Sequence, residues 1–175
     1  MENGLPKRKP VRLKNYDYST IGAYFVTICV QDRKPILSEV IKTNEMYTTE
    51  YALGYAVQLK PCGEIVKKHL LALADRYKEV VVSDYVIMPD HIHTIIVLRK
   101  NSGGASPSPT VSSVICALKS LVARECKAKF GIEKMFQRSF QEHIVRDKED
   151  YDTRKKYIYE NPLRWHFKQL DKEKK

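Results

Sequence analysis

His91 and His93 stand one residue apart in Met88-Pro89-Asp90-His91-Ile92-His93, and the segment runs directly into Thr94-Ile95-Ile96-Val97-Leu98. A run so rich in apolar and β-branched residues reads as a buried strand. Side chains alternate across a strand, so both imidazoles leave the same face, about 7 Å apart along the chain. Two polar rings at the mouth of an apolar strand cost burial energy that a shared ligand offsets, and paired imidazoles suit a divalent cation. A second group of reactive types lies further on, where Asp147 to Glu160 has the pattern of a helix opened by Asp147 as its cap. At 100° per residue Asp150, Arg154, Tyr157 and Asn161 fall along one polar strip, while Tyr151 shares the core-facing stripe with Ile158. A tyrosine can attack phosphorus to form a phosphate ester, and a cation on the phosphate oxygens polarises phosphorus and offsets developing charge. The amide oxygen of Asn161, one turn from Tyr157, is a candidate to complete the ligand set of the two histidines. These residue types together suggest phosphoryl transfer.

The charge balance names the class of phosphate. Lys and Arg number 31 against 21 Asp and Glu, a formal net charge of +10, which suggests a polyanionic partner, nucleic acid ahead of an anionic membrane. No stretch approaches the ~20 apolar residues that cross a bilayer, and the basic, Pro-containing start has no apolar core of a signal peptide. A cytoplasmic location, in association with the nucleoid, is therefore expected. Cys29, Cys62, Cys116 and Cys126 are scattered without a Cys-x-x-Cys pair, so neither a disulfide framework nor a zinc ribbon is indicated.

The elements that must position these groups follow from periodicity. Tyr24 to Val30 reads as a strand, residues 41–59 as a hairpin-like excursion, and Pro61 to Tyr77 as an amphipathic helix with Ile65, His69, Leu70 and Leu73 on one face. Val80 to Met88 is a strand joined to His91–Leu98 by a connection too short for a crossover, which makes the two antiparallel neighbours. A Gly-Ser-Pro linker over 101–110 precedes a helix from Val111 to Phe130, carrying Val114, Leu118 and Leu121 on one stripe, and then a strand from Phe136 to Val145. Asn161-Pro162 is expected to end the last helix, because the residue before proline is biased out of the helical region. The order predicts an α+β fold of ferredoxin-like, split βαβ type: an antiparallel sheet with helices on one face, plus a C-terminal helix that carries the tyrosine. At this length one domain is expected, spanning 21–165 between a basic arm over 1–20 and a charged tail over 166–175.

From Tyr24 to Leu163 the chain resembles the single-tyrosine HUH transposases, and specifically the REP-associated tyrosine transposases. The resemblance is carried by Tyr24-Phe25-Val26-Thr27, by Val86 to His93, by Ala117-Leu118-Lys119-Ser120, by Phe136-Gln137-Arg138-Ser139-Phe140 and by Tyr157-Ile158-Tyr159-Glu160-Asn161-Pro162. It implies a metal-dependent enzyme that nicks and rejoins single-stranded DNA bearing palindromic hairpins, as a monomer or homodimer. By the same resemblance Tyr157 is the nucleophile that leaves a 5′-phosphotyrosine and a free 3′-hydroxyl. His91 and His93 ligate Mg²⁺ or Mn²⁺, and Asn161 stands where insertion-sequence relatives place a glutamine. Lys7, Arg8, Lys9, Arg12 and Lys14 in the arm, with Lys119, Arg138 and Arg154, are the expected DNA contacts. The alternative is a DNA-binding protein or repressor descended from such an enzyme that no longer cuts. An RNA-recognition domain shares the topology but needs a Lys/Arg-Gly-Phe type motif that is absent, and no His-x-Thr/Ser pair of a two-histidine phosphoesterase occurs.

Overall fold

The computed structural model describes residues 21–43, 54–100 and 109–173. The basic arm, with Lys7, Arg8, Lys9, Arg12 and Lys14, and most of the linker lie outside the described residues.

Strand β1 (Gly22–Cys29) is followed by a hairpin of β2 (Ser38–Lys42) and β3 (Tyr55–Leu59), then by helices α1 (Pro61–Leu71) and α2 (Leu73–Arg76). Strands β4 (Val80–Ile87) and β5 (His91–Leu98), helix α3 (Val111–Phe130), strand β6 (Gln141–Val145) and helix α4 (Lys148–Glu173) complete the order. The main sheet runs β4-β5-β1-β6, antiparallel at every junction, with β2 and β3 as a separate two-stranded ribbon. This is the ferredoxin-like α+β arrangement predicted from the sequence, with the ribbon inserted between β1 and α1.

The two faces of the sheet carry different layers because the strand periodicity is two. Tyr24, Val26 and Ile28 of β1, with Ile92 and Ile96 of β5, join the buried residues of α1 and α3 in the larger core. Phe25, Ile95, Val86 and Met88 face the other way and are covered by Ile158, Tyr151 and Trp165 of α4. Strand β5 is buried almost throughout because it is central and covered on both sides, which is why it reads as a continuous apolar run.

Helix α3 takes the predicted bounds. Thr110 accepts from the Ser113 amide at 3.0 Å in a capping box, and Gly131 closes the far end at φ 67°, a left-handed conformation that glycine adopts without penalty. On its inner stripe Val122, rather than Leu121, is the fully buried member. The predicted helix over Pro61 to Tyr77 divides at Ala72 into α1 and α2. The predicted strand from Phe136 is shorter than expected: only Gln141–Val145 pairs along β1, and Phe136 makes a single bridge to Val30.

Helix α4 is the largest departure. It does not stop at Asn161-Pro162 but continues to Glu173, so residues 166–173 are helical turns where a tail was expected. Proline in a helix interior removes one hydrogen bond and costs ~3 kcal/mol. Tertiary packing outweighs that local cost here. Asn161 and Pro162 are both buried, Trp165 packs on the Phe25–Ile158 cluster, and His166 stacks on Tyr55 of the ribbon with ring centroids 4.5 Å apart.

The ribbon is joined to the helical layer through Leu37, whose carbonyl accepts from the Lys60 amide at 2.9 Å. The same carbonyl oxygen would sit 2.0 Å from a β-carbon at Gly63, in the first turn of α1. Gly63→Ala should therefore destabilise the fold by about 3 kcal/mol and lower the thermal midpoint by roughly 10 °C, as circular dichroism would measure. An unchanged midpoint would mean that α1 stands off from this loop.

Candidate active site

The two histidines enter a cleft of about 700 Å³ between the end of the sheet and α4. Each is fixed through its Nδ1. His91 Nδ1 hydrogen-bonds the Asp90 carboxylate, and His93 Nδ1 lies 2.8 Å from Thr27 Oγ1 on the neighbouring strand. A carboxylate can only accept, so Nδ1 of His91 carries the proton, and in the neutral ring Nε2 keeps the lone pair. The rings meet edge to face with centroids 4.6 Å apart. Burial, reinforced by the charges of His91 and Arg33 and opposed by Asp90, holds His93 down to about 3, so its imidazole is uncharged at neutral pH. Two oriented imidazoles, each held through Nδ1, have the chemistry of a cation-ligating pair. Among the described residues no group of three or more His, Cys, Asp or Glu gathers at one point.

Asp90 is itself held. Burial pushes its carboxyl up, but the His91 hydrogen bond and the charges of His91 and Arg33 outweigh that and leave it below the ordinary carboxylate range. Arg33 approaches Asp90 at 3.4 Å from a turn in which Asp32 and Arg33 both have positive φ. Backbone of that kind persists where surrounding contacts over-determine it. The sequence pointed to the histidines without these partners: Thr27 gains its meaning only from strand register, which pairs it with His93 across β1 and β5, and Asp90 only from the geometry of the turn before His91.

Helix α4 brings Tyr157 to the same cleft. Its ring lies edge-on to His93 at 5.2 Å and to Phe25 at 6.0 Å, with the Arg164 guanidinium 5.6 Å from its centroid, and the residue is 38 % exposed. The other tyrosines of the helix are committed elsewhere. Tyr151 and Tyr159 both donate to the buried Asp84 carboxylate, at 2.8 and 3.0 Å. Burial and that carboxylate raise the phenol of Tyr151 and push Tyr159 up to about 12, so neither forms a phenolate readily. Asp84 reaches α4 because of a bulge at Ser83: Val82 pairs with Ile96, but Asp84 pairs with Ile95, so the alternation shifts and Asp84 turns to the face that α4 covers.

Asn161 is buried beside Tyr157, with its amide nitrogen 3.4 Å from the Tyr157 carbonyl, and lines the cleft. Arg154 lines it too, lying 5.7 Å from the Phe25 ring and bonded at 3.0 Å to Asp150. Asp150 also receives the Arg146 amide and the His143 ring at 3.2 and 2.6 Å. Burial alone would push its carboxyl up, but these donors hold it down to about 2. The structure does not bring Lys119 and Arg138 to the cleft. Lys119 donates to the carbonyls of Gln137 and Arg138 at 2.8 and 2.9 Å, tying the loop before β6 to α3, while Arg138 is exposed. Of the cleft residues that sequence missed, Arg164, Trp165 and Lys168 lie on α4 itself. They continue the stripe of Tyr157 at i+7, i+8 and i+11, a spacing visible in the sequence once the helix is allowed to pass Pro162.

No helix among the described residues is long and apolar enough to cross a membrane. Comparison with known proteins agrees with the fold. The chain is 28% identical over 182 residues to an uncharacterized protein of Haemophilus influenzae, covering 95% of this chain and 94% of the relative. It is 22% identical over 147 residues to a REP-associated tyrosine transposase of Escherichia coli K12, covering 82% and 67% of the two chains. A solved REP-associated tyrosine transposase, bound to a REP hairpin, shares the fold at a TM-score of 0.57 and 20% identity, over 87% of this chain and 74% of the other. The family model for IS200-like transposases matches residues 22–161, from the start of β1 through Asn161, and the chain belongs to that family.

Proposed function

We infer that this transposase-family chain nicks and rejoins single-stranded DNA carrying palindromic hairpins, through a covalent bond to Tyr157. The observation that carries this reading is the inequality of the three tyrosines on α4. Tyr151 and Tyr159 donate to Asp84, whereas Tyr157 stands partly exposed against His93 in a cleft walled by Arg33, Arg154 and Arg164. DNA as partner is supported by the +10 charge and by the solved relative, whose structure holds a REP hairpin.

In this reading the phenolic oxygen of Tyr157, having given up its proton, attacks a backbone phosphorus. The new bond is O–P to tyrosine, the broken one is P–O3′, and the products are a 5′-phosphotyrosine and a 3′-hydroxyl. Arg154 and Arg164 offset the charge that gathers on the phosphate oxygens. His91 and His93 would hold Mg²⁺ or Mn²⁺, with Asn161 a third donor; when bound, such an ion supplies a Lewis acid for the phosphate oxygens. Rejoining is the same step reversed, with a 3′-hydroxyl attacking the phosphotyrosine.

A 3′-labelled hairpin oligonucleotide with single-stranded flanks tests the proposal. With Mg²⁺ or Mn²⁺ present, the label should migrate with the protein on a denaturing gel, since it stays on the fragment joined through its 5′-phosphate. Binding without any adduct across a panel of palindromes would favour a DNA-binding protein that has lost cleavage.

A further inference from the structure

The family match ends at residue 161, yet α4 continues to Glu173, and the continuation forms part of the cleft wall. Arg154, Tyr157, Asn161, Arg164, Trp165 and Lys168 occupy one face of the helix at steps of three and four residues, and all six line the cleft. Side chains on a helix lean toward its N-terminus, so Trp165 reaches back over the turn that bears Asn161. Its indole lies 6.1 Å from the His91 ring, centroid to centroid, and tilted at 40°, while its inner edge packs on the cluster of Phe25 and Ile158. It is only partly buried. A rigid aromatic plane, supported from behind and flanked by Arg164 one position before and Lys168 three after, is the arrangement by which proteins hold an unstacked base between phosphate contacts.

We propose that Trp165 is a stacking platform for the nucleobase beside the scissile phosphate, with Arg164 and Lys168 holding the adjoining phosphates. The proposal rests on the single-stranded DNA reading above and adds a base-binding subsite supplied by a part of the helix outside the family match. Stacking is tolerant of base identity, because every base has a π face. The platform would therefore order the strand near the reacting phosphate without choosing its sequence.

Trp165 is the only tryptophan of the chain, so its fluorescence reports on this one position. The probes are a twenty-nucleotide oligothymidylate and an abasic strand with the same number of phosphates, each end-labelled, titrated into full-length protein carrying Tyr157→Phe so that the strand stays uncut. Oligothymidylate should quench the tryptophan with the same midpoint as its anisotropy change. The abasic strand should bind about ten-fold more weakly and leave the emission unaltered. Adding Trp165→Ala should cost about ten-fold for oligothymidylate and nothing for the abasic strand, whereas Trp165→Phe should recover most of the loss, which separates stacking from a general loss of fold. Binding of oligothymidylate with unchanged emission, or an equal loss on both strands in Trp165→Ala, overturns the platform and leaves the DNA reading intact. If neither strand binds, the platform is overturned, and the DNA reading is decided separately by the flanked hairpin oligonucleotide.

Discussion

Tyr157→Phe should abolish the covalent protein–DNA adduct while leaving the fold and hairpin affinity as they are. Only the phenolic oxygen is removed, and the ring that packs edge-on to His93 and Phe25 is kept. The loss should be complete within detection, because in the proposed reaction the oxygen is the attacking atom and no neighbouring group on the helix can take its place. Tyr159 donates to Asp84 with its phenol pushed up to about 12, and Tyr151 donates to the same carboxylate. Tyr159→Phe and Tyr151→Phe should therefore still form the adduct, with some loss of thermal stability from the hydrogen bonds they give up, about 1 kcal/mol each. An adduct that persists in Tyr157→Phe and vanishes in either of the others would falsify the assignment.

The second large effect is expected at the histidines. Exchange of both His91 and His93 for alanine should lower nicking by at least ~10³-fold, and excess EDTA should do the same to the unmodified protein until Mg²⁺ or Mn²⁺ is restored. Hairpin binding, which the proposal assigns to the basic surface, should survive in both cases. The partners of the rings give a graded control. Thr27→Val and Asp90→Ala each leave the imidazoles in place but unfix their Nδ1 atoms, and each should cost about 10–100-fold. Cleavage at full rate in EDTA, or in the double alanine variant, would remove the metal from the mechanism and leave the histidine pair as packing.

Much of this architecture is legible from residue order alone. Strand β5 and its paired histidines follow from alternation at the end of an apolar run, and α3 from Thr110 at one end and Gly131 at the other. What sequence did not disclose was settled by long-range contacts. Pro162 carries a strong local signal to stop a helix, and the signal loses to Trp165 packing on the sheet and His166 stacking on the ribbon. With the helix cut short, Arg164, Trp165 and Lys168 had no reason to be grouped with Tyr157. The bulge at Ser83 leaves no local mark either, so strict alternation assigns Asp84 to the wrong face of β4 and conceals what distinguishes the tyrosines. Lys119 illustrates the converse: read from sequence as a phosphate contact, it also ties α3 to the loop before β6 through two carbonyls, a role no local pattern announces.

Helix α4 is the last of the described elements to leave the ribosome, and together with Val40 and Val57 of the ribbon it covers the sheet face of Phe25, Val86, Met88 and Ile95. Its anchors on β4 span 67 and 75 residues of chain, among the contacts that close late in folding. Until synthesis reaches those turns, the nascent chain leaves much of that apolar face exposed and has no tyrosine of α4 opposite its histidines. Burial of that face and assembly of the cleft are then one event, so a chain terminated before α4 would be aggregation-prone and at the same time unable to cut DNA.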